Sequence, residues 1–270
     1  MLVYRNNRLE FKTQLTQPTG PSLNIAVLIA GSPRFCREFD TLIHNLSNHN
    51  VDWYFYLWKT STSPDKQGMN LVAPKWRNIN YDWALSKLQS NLPKNHNVFL
   101  ELGDIDSVKI PHITNNITET FIQFTWPMFE SLYRVYQLFQ SSNKTYDLVI
   151  RARNDVAFYK QTNYYYLKDV LDKNPSYVFT NKYYRFGKYA TTLNDFFAIS
   201  SAENIKIYCE TALHLLEYHN MGYVFHPESM LVVHLIKSKL QITYVDFCLQ
   251  LRSMGSYINN AYQSDFGRWV

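Results

Sequence analysis

The sequence predicts an α/β protein whose mostly parallel central sheet is flanked by helices. Three observations carry this reading. First, Asn24 to Ala30, Val51 to Trp58 and Tyr146 to Ile150 are short runs rich in β-branched and aromatic residues, as strands buried on both faces must be. Second, stretches with apolar residues at helical spacing alternate with such runs, the pattern of a sheet built from crossover units. Third, the Tyr146 run passes straight into Arg151-Ala152-Arg153-Asn154-Asp155. Charged groups therefore stand at the carboxyl edge of a buried strand, where open α/β sheets bind their ligands.

Residues 1–22 are polar and end in Pro18-Thr19-Gly20-Pro21, a breaker-rich run that reads as a leader before a single domain over residues 23–270. The Asn24 strand runs into Gly31-Ser32-Pro33-Arg34, and Phe39, Leu42, Ile43 and Leu46 follow at helical spacing. Strand, tight turn and helix make the first half of a βαβ unit, whose turn can approach a nucleotide. Gly31 suits a plain turn equally well. After the Val51 strand, residues 59–80 lack periodicity and read as a long loop over the sheet edge. A short helix over Asn80 to Leu88, a strand at Val98 to Leu102 and an irregular connection over 103–118 follow. Thr125 is the expected N-cap of a long helix with Pro127 in its first turn. Its apolar face, Phe129, Leu132, Tyr133 and Tyr136, reads as core.

Beyond the charged segment, a helical turn is expected near Leu167 to Leu171 and strands at Tyr177 to Thr180 and Leu193 to Ile199. Ser200 with Glu203 forms a capping box for the helix carrying Ile205, Tyr208, Ala212 and Leu215. His226-Pro227-Glu228 opens another helix, where Glu228 complements the helix dipole. Ile242 to Leu249 reads as a last strand.

Composition narrows the function classes. With 270 residues, 46% of them hydrophobic, the chain is long and apolar enough to bury a full-size core. A net charge of +5 suits an anionic small substrate or an anionic membrane surface. It is too small and too dispersed to argue for nucleic acid. Three widely spaced cysteines, Cys36, Cys209 and Cys248, speak for a reducing, cytoplasmic compartment and against a zinc site. No apolar run reaches the roughly 18 residues that span a bilayer, so peripheral contact is the most a membrane would get.

Two guanidiniums suit the oxygens of a diphosphate, and one carboxylate suits a hard divalent cation shared with them. Arg151, Arg153 and Asp155 are thus candidates to hold a phosphorylated donor, against the plainer reading of a salt-bridge cluster at a strand end. Asp155, just past the apolar strand, is expected to face ligand rather than core.

The order Gly31-x-Pro33-Arg34, Val51-Asp52 up to Trp58, Gln123, then Tyr146-Asp147-x-Val149-Ile150-Arg151-x-Arg153-x-Asp155, resembles a group of GT-A-like glycosyltransferases. These are enzymes of surface-polysaccharide assembly, similar to the WavE-type lipopolysaccharide and capsule proteins. Asn194-Asp195-x-Phe197-Ala198-Ile199 and Pro227-Glu228 continue the similarity, which spans about residues 24–250. The resemblance implies a Rossmann-like GT-A sheet that moves a sugar from a nucleoside-diphosphate sugar to a hydroxyl of a glycan or glycolipid acceptor. By that analogy Gly31, Pro33 and Arg34 lie under the nucleotide, and Asp155 stands where such enzymes keep the DxD carboxylate that binds Mn2+ or Mg2+. Arg153 occupies the place of the first DxD carboxylate. Metal binding would therefore rest on Asp155 alone, or the arginines would neutralise the diphosphate without metal. Asp195 and Glu228 would face the acceptor, and either could act as general base, with Glu228 preferred. Two other readings stand beside this one. The first is a sugar- or nucleotide-binding scaffold that kept the fold and lost the chemistry. The second is a sulfotransferase, for which Ser32-Pro33-Arg34-Phe35-Cys36 lacks the expected Gly-rich, Lys/Ser/Thr-bearing phosphate loop.

Overall fold

The computed structural model describes residues 2–5, 8–11, 20–32, 39–59, 80–111, 116–158, 160–182, 193–245, 247 and 249–251. Its centre is a seven-stranded sheet built on β3 (Asn24–Gly31), β4 (Asn50–Trp58), β5 (Asn97–Gly103) and β6 (Leu148–Ala152). β8 (Tyr177–Lys182), β9 (Leu193–Ser200) and β10 (Gln241–Tyr244) complete it. The spatial order is β10-β8-β9-β6-β3-β4-β5. β9 alone runs antiparallel to its two neighbours, and every other pairing is parallel. Two short strands, β1 (Leu2–Arg5) and β2 (Arg8–Phe11), pair with each other and, among the described residues, with no other strand.

The central strands are apolar throughout because they are covered on both sides. On β3, Ile25, Val27 and Ile29 point into one core and Ala26 and Leu28 into the other. The first core is closed by α1 (Asp40–Leu46), α2 (Tyr81–Asn91) and α4 (Tyr164–Lys173), through Phe39, Leu42, Leu88 and Leu167. The second is closed by α3 (Asn116–Ser141), α5 (Ala202–Asn220) and α6 (Pro227–Lys237), through Phe129, Tyr208 and Leu231. The expected α/β protein with a mostly parallel sheet flanked by helices is what the chain forms, a three-layer arrangement compatible with a Rossmann-like fold.

Several boundaries differ from the sequence expectation, for physical reasons. α3 starts at Asn116 and runs through Thr125 and Pro127, which lie inside it rather than at its head. Pro127 carries no N–H, so the Gln123 carbonyl loses its intrahelical donor. The apolar faces before and after it keep the helix in register on the sheet, with Ile122, Phe129 and Leu132 all in the second core. The capping box also shifts by one residue. Ser201 caps α5, its hydroxyl accepting from the Asn204 N–H at 3.2 Å. Ser200 instead stays in β9 opposite Val149, and its buried hydroxyl bonds the Tyr177 carbonyl and the Asn204 amide. The expected strand from Ile242 to Leu249 divides into β10 and β11 (Leu249–Leu251). β11 pairs antiparallel with β7 (Val156–Phe158) in a small sheet apart from the large one. Residues 153–155 therefore bridge two sheets, leaving β6 of the large one and entering β7 of the small one within three positions. The expected loop over 59–80 falls almost wholly outside the described residues.

Candidate functional site

The charged segment stands where the β6 register places it. Arg151 lies opposite Leu28 on β3 and Ala198 on β9, both facing the core under α3, α5 and α6. Its side chain is 2% exposed, and its Nε and Nη1 have no hydrogen-bond partner. A guanidinium cannot shed its proton in this situation, so these are fixed, desolvated donors that call for an acceptor.

Arg153 and Asp155 face each other across the bridge between the sheets. The guanidinium donates from Nε to Oδ1 at 2.9 Å and from Nη2 to Oδ2 at 2.7 Å, a bidentate pair. Asp155 is 2% exposed, so the expectation that its carboxylate would face ligand does not describe its resting contact. Asn154 donates from its side chain to the Ser32 carbonyl at 2.9 Å, tying the segment to the turn after β3. In that turn Gly31 adopts φ +110°, a left-handed backbone that glycine takes without the cost a side chain would bring. Pro33 and Arg34 lie outside the described residues.

Asp195 and Glu228 complete the group. Asp195 is near the start of β9, and the next residue binds the site directly, with Arg153 N–H donating to the Phe196 carbonyl at 3.1 Å. Burial raises the Asp195 carboxyl above its ordinary range and the Glu228 charge pushes it further, while Arg153 and Arg151 oppose both. Glu228 sits in the first turn of α6, buried, next to His226. His226 Nδ1 is 2.7 Å from Glu228 Oε2, an ion-pair distance without the alignment of a hydrogen bond. The contact with that carboxylate raises the imidazole, burial works against it, and Asp195 adds a smaller upward push. Arg151, Arg153, Asp155, Asp195 and Glu228 thus share one electrostatic neighbourhood, which their sequence spacing alone does not reveal. Sequence reasoning missed His226 as a member. Its signal was Pro227, which fits the first position of a helix and so makes His226 the N-cap, two residues from Glu228.

Among the described residues, no group of three or more His, Cys, Asp or Glu side chains is arranged to hold a metal ion. A cation at Asp155 would have to displace Arg153 from both carboxylate oxygens, so this donor set fits Mn2+ or Mg2+ poorly. An open cavity of about 590 Å³ lies elsewhere, at the amino edge of the sheet, lined by Asn24, Asn50, Asp52, Asn97, Lys144 and Tyr146. Its one buried carboxylate, Asp52, is already engaged by Lys144 at 2.7 Å, Tyr146 at 2.6 Å and Asn97 at 2.6 Å. That network leaves no unpaired charge for chemistry, and the candidate site is the carboxyl-edge cluster.

No helix among the described residues is long and apolar enough to cross a membrane. No protein-family model matches the chain, and no curated protein is similar to it at a significant level. The fold and the site define a class no finer than an α/β protein with a buried, two-signed charge cluster at the carboxyl edge of its sheet.

Proposed function

We propose that the chain is a GT-A-like glycosyltransferase that moves a sugar from a nucleoside-diphosphate sugar to a hydroxyl of a glycan or glycolipid acceptor. The observation that carries this reading is Arg151, a buried guanidinium whose Nε and Nη1 have no hydrogen-bond partner, within electrostatic reach of the Asp195 carboxylate at the sheet's ligand-binding edge. Arg153 and Asp155 are paired with one another, so Arg151, with Nε and Nη1 unbonded, is the cation assigned to the diphosphate.

In the transfer, the acceptor hydroxyl gives up its proton, its oxygen bonds to the anomeric carbon, and the carbon–oxygen bond to the diphosphate breaks. The departing charge falls to arginine, and the proton to the acidic side of the cluster, Glu228 or Asp195. Charge on the diphosphate is carried by guanidinium in this scheme, and no step is routed through a cation.

Binding of the donor tests the reading directly. A nucleotide sugar present at 100 times its Kd adds about 2.7 kcal/mol to the folded state, which raises the melting temperature by roughly 5–10 °C in a chain of this length. Arg151→Met removes the charge and keeps the apolar stem, so it should lose the ligand-induced shift, with its own ligand-free melting temperature as the control for the fold. A set of nucleotide sugars that leaves the wild-type melting temperature unmoved would overturn the proposal. The binding-only scaffold differs in one respect: it would show the same shift and no sugar transfer to any glycan.

A further inference from the structure

We propose that the cleft at the amino edge of the sheet is a binding site for a neutral polyhydroxylated ligand, a sugar or short glycan. The proposal stands on the lining of the cleft and does not depend on the glycosyltransferase reading. The strand starts set that lining. β3, β4 and β5 each begin with an asparagine, Asn24, Asn50 and Asn97. Their parallel pairing puts Asn24 opposite Asn50 and Asn97 opposite Asp52. Asn95 ahead of β5, and Asn143 and Thr145 between α3 and β6, add two more amides and a hydroxyl. An amide offers two N–H donors and a carbonyl with two lone pairs, so it meets a hydroxyl in either role. Bonds inside the wall use only part of that capacity. Asn50 Nδ2 donates to Asn24 Oδ1 at 3.1 Å, and Asn97 Nδ2 donates to Asp52 Oδ1 at 2.6 Å.

Charge and volume narrow the ligand. Among the described lining residues the ionised side chains are Asp52 and Lys144, paired at 2.7 Å, so the cleft carries no net charge and favours neither a phosphate nor a cation. Burial pushes the Asp52 carboxyl up, but hydrogen bonds from Lys144, Tyr146 and Asn97 outweigh it and hold it below the ordinary carboxylate range. The Tyr146 hydroxyl donates to Asp52 at 2.6 Å and, with its proton so placed, accepts from the Tyr54 hydroxyl at 2.6 Å. Burial and these two bonds raise it well above the ordinary phenol range. Near neutral pH the carboxylate keeps its charge and the phenol its proton, a framework for binding rather than for acid–base chemistry. The volume, about 590 Å³, falls within the roughly 300–1,000 Å³ of small-molecule sites. Such sites are usually apolar with a few polar groups. Here the proportion is reversed, with Val51 and the Tyr146 ring as the apolar part, so the ligand that fits is polar over most of its surface. The Tyr146 ring packs edge-on to Tyr54 at 6.4 Å between centroids and lies 5.6 Å from Phe139, which fixes it as a wall for the C–H groups of a sugar ring.

The full chain, isotope-labelled for NMR, tests this with free sugars that carry no nucleotide. Titration with a panel of neutral pentoses, hexoses and their short oligomers should move the backbone amide resonances of Asn95, Asn97 and Thr145 saturably with at least one sugar. The double variant Asn95→Ala, Asn143→Gly removes two amides from the lining. Asn95 is exposed, and glycine takes the left-handed backbone of Asn143, φ 51°, so the spectrum away from the cleft should be unchanged. In that variant the Kd for the sugar should rise by about 10-fold, as the loss of two ordinary hydrogen bonds implies. Glycerol, matched in hydroxyl concentration, separates a built site from general hydration. The proposal is overturned by a panel that moves none of these resonances, or by glycerol moving them as strongly as any sugar. Sugar phosphates or amino sugars binding where neutral sugars do not, or a double variant binding as tightly as wild type, would overturn it equally. No nucleotide enters the measurement, so each of these outcomes leaves the donor-site reading untouched.

Discussion

Asp155 and Arg153 carry two hydrogen bonds between side chains only two residues apart, and this alters what a mutation at either position measures. Asp155→Asn leaves a largely buried guanidinium without its counter-charge. Removing one partner of a buried pair costs about 3–5 kcal/mol, and the one-fifth exposure of the Arg153 side chain places this case at the lower end. Urea unfolding at pH 7 should show a loss of about 3 kcal/mol for Asp155→Asn. A variant as stable as wild type would mean that Arg153 relaxes into solvent and that the pair adds nothing to the fold. Loss of donor binding in Asp155→Asn is interpretable only beside that stability measurement. At this scale the sequence was informative about residue type and poor about partnership. Arg151, Arg153 and Asp155 stand out because charges directly after an apolar strand are conspicuous. That Asp155 bonds its neighbour's guanidinium is set by how the chain turns from β6 into β7, and that turn depends on pairing with the distant β11.

The capping of α5 shows how an element's start is decided by its surroundings. Ser200 and Ser201 are both serines before an apolar helix, and local rules alone favour the one three residues ahead of Glu203. The structure chooses Ser201, because Ser200 is held in β9 by its pairing with Val149 and by the buried bonds among Tyr177, Ser200 and Asn204. Ser201→Ala should therefore cost about 1 kcal/mol, the usual value of an N-cap, and be measurable by thermal unfolding. A null effect would return the capping role to Ser200. Gly103, where β5 ends beside Trp58, makes a second test at this scale. A methyl group there would meet the Tyr56 hydroxyl and ring, with Trp58 Cζ3 at 2.8 Å. Tyr56 is packed in the second core, so Gly103→Ala should destabilise by about 1–3 kcal/mol, the range for overpacking. A free energy of unfolding equal to wild type would show that Tyr56 moves aside without cost. Thr125 and Pro127 mark the limit of local reading again, since both carry helix-start signals and both lie within α3. The apolar stripe shared across that position outweighs them.

Across the whole molecule, the layered sheet places histidines where they titrate against the fold. The parallel core strands were legible because burial on both faces leaves continuous apolar runs, whereas the strand order and the reversal of β9 depend on contacts the sequence does not display. Those contacts bury His49, His96 and His234, and burial lowers the pKa of each. His234 is the extreme case. It lies between α5 and α6, with Nδ1 2.7 Å from the Tyr218 hydroxyl and Nε2 2.8 Å from the Ile207 carbonyl. Burial, helped by the nearby His214, brings its pKa down from 6.5 to about 4. Between those values the unfolded chain binds a proton that the folded chain refuses, so folding stability rises with pH across that window. The contribution is complete above 6.5 and is lost as the pH falls toward 4. His226 works in the opposite sense: its raised pKa stabilises the fold at lower pH and loses that effect as the pH climbs through it. Asp195 acts in the same direction as His226, because its raised carboxyl pKa lets the folded state bind the proton more readily. The shift at His234 predicts a loss of stability from this group on acidification from pH 7 to 5. Urea unfolding at the two pH values should show it, and His234→Gln should flatten the dependence while lowering stability at pH 7, where the histidine's two hydrogen bonds are intact. An unchanged pH dependence in His234→Gln would remove this histidine as its source and leave His49 and His96, tested by the same pair of measurements.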